Sequence, residues 1–356
     1  MPSKADTPPT DALHYPWESH PGPDRVVEVL PGVLWLRLKL PFRLNHVNVY
    51  LIADGDGWAL FDTGFGNEAT IAAWTTLLEG ELSGVQLSRV IVSHAHPDHL
   101  GLAGWLVARF QCPLQMSQLE FLHGVYHQHR RTEERVENSR LFFRRHGMDE
   151  AMTLQLLGRG QDYLKKTVPM PAAYQRLSHG DRLMIGEREF QVMTGAGHSP
   201  DQVMLYCAAD NFLLSADQVL SKISPNVSVW AQEPDEDALG AYLHSLRMIA
   251  AAVPDDALVL PGHGVPFYGL QVRIGQLAAH HEERCEVIAE ACIASARTAA
   301  ELVPIVFNKH VLDAHQAGFA AGEVIAHVNY LLAQGRLKQV DHRAGICDGL
   351  LRFKTS

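Results

Sequence analysis

Several things are scarce in this chain. No apolar run approaches the ~20 residues that a membrane span needs; runs such as Ala299–Val306 stop well short of it. Met1–Thr10 is polar and proline-bearing, without the apolar stretch of a signal peptide. The expectation is therefore a soluble, cytoplasmic protein with no membrane partner. Paired cysteines are missing: Cys112, Cys207, Cys285, Cys292 and Cys347 are odd in number and scattered, with no C-x-x-C. That excludes a disulfide framework and a cysteine-built zinc site, and reads as isolated small apolar residues. Positive charge is also short, 30 Lys and Arg against 40 Asp and Glu, a net charge of −10. Nucleic acid is thus disfavoured as the main partner, since phosphate binding wants a basic surface. Histidine, by contrast, is plentiful, with 20 residues, and invites a search for metal ligands.

The length of 356 residues, with 47% hydrophobic and 20% charged residues, suits one large domain with an appendage. Residues 1–25, with Pro8, Pro9, Pro16, Pro21 and Pro23, read as a loose arm. From Val33 the texture alternates: Val33–Leu38, Val47–Ile52 and Trp58–Phe61 predict strands, the last two joined across Asp54-Gly55-Asp56-Gly57. Glu68–Leu78 has helical spacing, Arg89–Val92 is a buried strand, and Leu100–Phe110 is helical again. Residues 117–166 predict two or three helices that interrupt the strands as an inserted cap or lid would. Strands resume at Arg182–Ile185, Glu189–Met193, Gln202–Cys207 and Asn211–Ser215, followed by a helix, Glu236–Ala251, and a strand, Ala257–Leu260. After His263 the class changes. Leu270–Arg297, Ala299–Val303 and Phe319–Gln334 predict helices, then Gly335–Gln339 and Ile346–Phe353 predict a hairpin. The expectation is an α/β domain over 26–268 and a helical, winged-helix-like domain over 269–356.

The chemistry is concentrated in His94-Ala95-His96-Pro97-Asp98-His99. The cluster follows a predicted strand and precedes a predicted helix, the place where α/β folds put their sites. His94 and His96, two apart in an extended segment, point the same way, while Asp98 and His99 sit at the turn into the helix. Imidazole and carboxylate donors suit zinc, manganese or iron. Four donors in six residues are too many for one open ion that also needs ligands from elsewhere, so two adjacent ions fit better. Three more donors each leave a predicted strand on a turn: His198 in Gly197-His198-Ser199-Pro200, Asp217 after Phe212–Ser215, and His263 in Pro261-Gly262-His263-Gly264.

In this order the motifs, with Asn48-Val49-Tyr50-Leu51-Ile52 and Phe61-Asp62-Thr63-Gly64, resemble the metallo-β-lactamase superfamily over roughly residues 30–265. The resemblance implies an αββα sandwich with the site at one edge. It implies a first metal on His94, His96 and His198, a second on Asp98, His99 and His263, and Asp217 bridging. The implied cofactor is two Zn2+, with Mn2+ or Fe as substitutes, and the implied chemistry is hydrolysis by a metal-bridging hydroxide that Asp98 orients. Asp62 is expected to partner a ligand or stabilise a turn.

Outside this set, His46, Lys222, Asn226 and Trp230 are the candidate substrate-pocket residues. His123, His127, His129, His280 and His281 are read as surface or interhelical hydrogen-bonding groups. A glyoxalase II-like site on a small-molecule ester, thioester or lactone is the first functional expectation. The winged-helix-like extension leaves an endoribonuclease or phosphodiesterase as an alternative. Against that, the extension from Gly269 carries nine Lys or Arg and nine Asp or Glu. An iron-dependent sulfur dioxygenase and a regulator on a dead hydrolase scaffold are further alternatives; the second is weakened because all seven donors are present. The sequence is silent on oligomeric state.

Overall fold

The structure is a computed structural model that describes residues 12–129, 132–159, 163, 165–307, 314–340 and 349–356. In chain order the elements open with β1 (Val26–Leu30), β2 (Val33–Lys39), β3 (His46–Asp54), β4 (Gly57–Phe61), α1 (Glu68–Glu79), β5 (Leu87–Ile91), α2 (Pro97–Leu100), α3 (Ala103–Phe110) and β6 (Leu114–Met116). Next come α4 (Gln118–Gln128), α5 (Glu133–Arg145), α6 (Glu150–Arg159), β7 (Gln175–Arg176), β8 (Arg182–Ile185), β9 (Arg188–Gly195), β10 (Gln202–Cys207) and β11 (Phe212–Ala216). The chain closes with α7 (Ala238–Ala252), β12 (Leu258–Pro261), α8 (Leu270–Ala291), α9 (Ala299–Val306), α10 (Ala314–Ala333), β13 (Leu337–Gln339) and β14 (Phe353–Thr355). Among the described residues no helix is long and apolar enough to cross a membrane.

The chain forms two compact units. The first comprises Met1–His129, Tyr163–Pro225 and Ser245–Ile274; the second comprises Arg130–Asp162, Asn226–His244 and Gly275–Ser356. The first unit holds a seven-stranded sheet, β1-β2-β3-β4-β5-β6-β7, and a five-stranded sheet, β12-β11-β10-β9-β8. The period-2 pattern of the sequence decides which face each residue serves. Leu36, Leu38, Val49, Leu51, Leu60 and Val90 join Trp74 and Leu77 of α1 and Leu106 of α3 in one core. Trp35, Tyr50, Ile52, Phe61 and Ile91, their alternates, pack instead with Phe190, Val192, Leu205, Phe212 and Leu214 of the other sheet. Full burial of each such aromatic or branched side chain contributes about 1.5–3 kcal/mol. The sandwich is the α/β architecture expected.

Direction matters more for function. β4 and β5 are parallel neighbours, as are β11 and β12. β9 is antiparallel to β10, which is antiparallel to β11, so β9 runs with β11 and β12. Five strands thus deliver their carboxyl ends to the site: Asp62 follows β4, His94 follows β5, His198 follows β9, Asp217 follows β11 and His263 follows β12.

Several local readings change. The helix expected over Leu100–Phe110 is broken into α2 and α3. A Cβ on Gly101 would collide with backbone atoms of Pro97, Gly66 and Gly64, and the Leu102 N–H donates to Thr63 Oγ1 at 3.1 Å. The chain is thereby pinned against the Asp62 turn. Residues 12–25 of the expected loose arm are anchored: His14 and Tyr268 exchange backbone hydrogen bonds of 3.2 and 2.9 Å, and Trp17 packs edge-on against Trp35. Residues 1–11 lie outside the described residues. β6 and β7, three and two residues long, are too short to carry a periodic signal. The helices expected over 117–166 divide, α4 with the first unit and α5 and α6 with the second.

In the second unit β13 and β14 pair antiparallel after three helices. The second strand lies at Phe353–Thr355, C-terminal to the expected Ile346–Phe353, of which 346–348 fall outside the described residues.

Candidate metal centre

The seven donors predicted from the sequence come together. His94, His96 and His198 form one group whose donor atoms lie within 4.8 Å of one another; His94, His99 and Asp217 form a second, and Asp98, His99 and His263 a third. His94 Nε2 and His96 Nδ1 are 2.9 Å apart. Asp217 faces both ends of the cluster: its Oδ2 is 3.5 Å from His198 Nε2 and 3.2 Å from His263 Nε2, and its Oδ1 is 3.5 Å from His99 Nε2. Asp98 Oδ2 lies 3.4 Å from His263 Nε2 and 3.8 Å from His99 Nε2. Asp98 has 19% of its side chain exposed, against 7% for Asp217, 0% for His99 and 2% for His263.

The site fits a cation by its own chemistry. His99 Nε2 and Asp217 Oδ1 are buried and make no hydrogen bond within the chain, although they face one another. A buried, unsatisfied polar atom costs about 1–3 kcal/mol, and here two of them converge. Burial, followed by the neighbouring imidazoles, pushes the pKa of His94 and His96 well below the usual range, leaving them neutral and able to coordinate. For His99 and His263 burial also pushes down, but the carboxylates outweigh it and hold both pKa values up, Asp217 first in each case. Burial pushes Asp217 up, yet His263 and His99 hold it well below the usual carboxylate range. The carboxylates therefore demand positive charge, which protons on His99 and His263 or a divalent cation can supply.

Neighbouring groups fix the donors. Asp62, in the left-handed region at φ 63°, accepts from Ser93 N–H at 2.8 Å and Ser93 Oγ at 2.9 Å. His99 Nδ1 lies 2.7 Å from Asp62 Oδ2. Donation there fixes the tautomer and aims Nε2 into the cluster, the partnering role expected for Asp62. His263 Nδ1 likewise meets the His46 carbonyl at 2.7 Å. Gly262 is dictated by crowding: a Cβ there would overlap Asp217 Oδ1 and come within 2.9 Å of His99 Cε1. Asn48 Nδ2 and Tyr50 Oη donate to the Pro261 carbonyl, both at 2.9 Å, and hold the same loop.

The expected pocket residues behave differently from one another. His46 stands beside His263, ring centroids 5.9 Å apart, but both of its ring nitrogens are engaged. Nε2 accepts from Gly264 N–H at 2.8 Å, which leaves the proton on Nδ1, 2.9 Å from Asn45 Oδ1. Burial, with Arg37 and His263 next, pushes its pKa down to about 3. His46 is thus a positioning residue for the His263 loop. Lys222 is exposed, its ammonium 5.2 Å from the centre of the Tyr15 ring. Asn226 and Trp230 belong to the second unit, where Asn226 Oδ1 accepts from Ser228 Oγ at 2.6 Å and Trp230 is 40% exposed.

Sequence reasoning missed Glu120. This fully buried α4 carboxylate accepts from Ala95 N–H at 2.8 Å, Ser199 Oγ at 2.5 Å and Asp201 N–H at 2.8 Å. It joins the loop of His94 and His96 to the loop of His198, while burial raises its pKa to about 6. Tyr163 Oη adds a 2.7 Å bond to the Ala95 carbonyl.

Comparison with known proteins agrees with this geometry. The family described as Metallo-beta-lactamase superfamily matches residues 43–263, and Metallo-beta-lactamase-like, C-terminal domain, matches residues 285–356. A beta-lactamase domain protein from Burkholderia ambifaria is 38% identical, with 97% of this chain and 98% of that chain covered and a TM-score of 0.88. A metallo-beta-lactamase family protein from Thermus thermophilus is 26% identical, with 92% and 100% covered and a TM-score of 0.76. The Probable metallo-hydrolase YqjP of Bacillus subtilis (strain 168) is 23% identical over 318 residues, 85% of this chain and 92% of that protein. With the family match spanning most of the sheet-bearing unit and a solved relative aligned along nearly the whole length, this chain belongs to the metallo-beta-lactamase superfamily.

Proposed function

We propose that this metal-dependent hydrolase works with two zinc ions and cleaves an ester, thioester or lactone of a small molecule. One observation carries the reading: Asp217 is shared between the His94–His96–His198 end and the Asp98–His99–His263 end of a single buried donor cluster. His94, His96 and His198 would hold the first ion, Asp98, His99 and His263 the second, and Asp217 would bridge them. Two bound divalent ions supply Lewis acidity toward a carbonyl oxygen and bring the pKa of a water to ~7.

The chain's own groups do the rest. Asp98, the most open of the acidic donors, is placed to accept the proton of an attacking water and to orient it. Asp62 keeps His99 in one tautomer, and Glu120 keeps the two histidine loops in register. The helices and the β13–β14 pair of the second unit support a winged-helix reading of that region. Its balanced charge favours a small-molecule substrate over nucleic acid, and Lys222, Asn226 and Trp230 are retained as candidate substrate contacts.

The test is a screen of the zinc-loaded full chain against thioesters, lactones, phosphodiesters and single-stranded RNA. Turnover of a thioester or lactone, lost on Asp98→Ala, supports the proposal. Turnover confined to RNA or to phosphodiesters overturns its substrate class, and thiol oxidation with bound iron overturns its reaction type.

A further inference from the structure

The second unit carries a donor cluster that the hydrolytic site does not use. His281 on α8 and Glu323 and His327 on α10 are all buried, with donor atoms within 4.8 Å of one another. Glu323 and His327 are four apart and so share one face of their helix. His281 Nδ1 lies 3.2 Å from His327 Nε2. Two ligand nitrogens at ~2.0–2.1 Å from one tetrahedral zinc ion stand about 3.3–3.4 Å apart, so this separation is close to that of a ligand pair.

The bonding around the pair is of the kind a metal ligand needs. His327 Nδ1 lies 2.7 Å from the Glu323 backbone carbonyl, and donation to it leaves Nε2 as a lone pair aimed at His281. An imidazole that donates its other N–H to a backbone carbonyl is the usual outer partner arrangement of a ligating histidine. His281 would coordinate through Nδ1, with its proton on the buried Nε2. Arg284 on α8 binds Glu323 Oε1, which fixes the carboxylate. Burial first, with His327 next, pushes His281 down to about 2, and burial with Arg284 next pushes His327 down to about 3. Both rings are neutral near pH 7, as coordination requires.

We propose that His281, Glu323 and His327 form a further divalent-cation site, of zinc type, that clips α8 to α10 within the second unit. Two imidazoles and a carboxylate are a donor set zinc takes, with a fourth position left for a small ligand such as water. The site's role is structural: it would reinforce two helices already joined by the Arg284–Glu323 ion pair, and it does not depend on the hydrolytic reading.

The experiment uses the full chain. In a variant with His94, His96 and His263 all changed to Ala, metal analysis after zinc loading and gel filtration should find about one zinc per chain. Adding His327→Gln should bring this to background, and adding His280→Gln, an adjacent change outside the group, should not. Should the triple variant fail to fold, the otherwise unchanged chain answers the same question. His327→Gln alone should lower its zinc content by about one equivalent and remove one set of cobalt(II) ligand-field bands on cobalt loading. Retained zinc that His327→Gln does not alter, or no zinc beyond the sheet-edge donors, would overturn the site.

Discussion

The two histidine clusters of this chain are built from similar donors and differ in nearly everything else. At the sheet edge His94, His96, His198, Asp217 and His263 follow strands on loops, while Asp98 and His99 lie in the short α2, so seven side chains from four segments converge. In the second unit three donors sit on two helices, where the 3.6-residue repeat sets their spacing. The sheet-edge cluster is rich in anions: against burial, Asp217, Asp62 and Asp98 hold the pKa of His99 up, and Asp217 and Asp98 hold up that of His263. In the helical cluster Arg284 answers the Glu323 carboxylate, and burial keeps both imidazoles neutral. The sheet-edge donors include partly exposed ones, Asp98 among them, whereas His281, Glu323 and His327 are all buried. The lesson is that donor type alone says "metal"; the scaffold under the donors decides whether a substrate can reach them.

The sharpest way to break this contrast is Asp98→Ala. If the open carboxylate handles the proton, kcat should fall by about 10³-fold while the thermal unfolding midpoint barely moves, because the side chain is partly exposed. Steady-state turnover and circular dichroism on the same preparation check it. Unchanged turnover would make the openness of Asp98 irrelevant to function.

A smaller effect follows from crowding. Gly262→Ala forces a methyl against Asp217 and His99, so zinc affinity should fall by about 10–100-fold, the scale seen when a ligand's supporting contacts are disturbed. Competition with a chromophoric chelator measures it. Affinity equal to that of the unmodified protein would mean that the loop relaxes and that the packing of His263 against Asp217 is not fixed.

The smallest expected effect lies in the second unit. Burial, with Glu233 and Asp237 next, raises the pKa of Glu236 from 4.5 to about 7. The folded chain therefore holds this proton more tightly than the unfolded chain. The stabilising contribution is complete below pH 4.5 and is lost as pH rises through about 7. Thermal melts across that window should show a downward slope in stability that Glu236→Gln flattens. A slope that survives the substitution would assign it to other groups.

Much of the sheet edge was legible in the sequence because strand-ending motifs carry both position and chemistry. His94, His198, Asp217 and His263 each follow a short apolar run, and parallel or co-directed strands bring such ends together. Glu120 was not legible for a specific reason. Ser117-x-x-Glu120 reads as a capping box, and half of one is present, since Ser117 Oγ accepts from Glu120 N–H at 3.3 Å. The Glu120 side chain nevertheless turns away to Ala95, Ser199 and Asp201, a choice made by tertiary burial that local spacing does not contain. At Thr298-x-x-Glu301 the same pattern forms the complete box. The bonds of His46 were equally illegible: its place at a strand start suggested a pocket residue and gave no sign that its ring engages Gly264 N–H and Asn45. The helical cluster lay hidden because His281 and His327 are 46 residues apart in sequence, and only the packing of α8 on α10 brings them together.

The central claim is a two-ion hydrolytic site at the sheet edge. Its most direct test is a zinc titration of the chelator-stripped His327→Gln chain, with bound metal and turnover of the best substrate followed together. The account predicts that activity rises to its plateau at about two zinc per chain. Full activity at one zinc per chain, or two bound zinc ions with no hydrolysis of any substrate class screened, would contradict it.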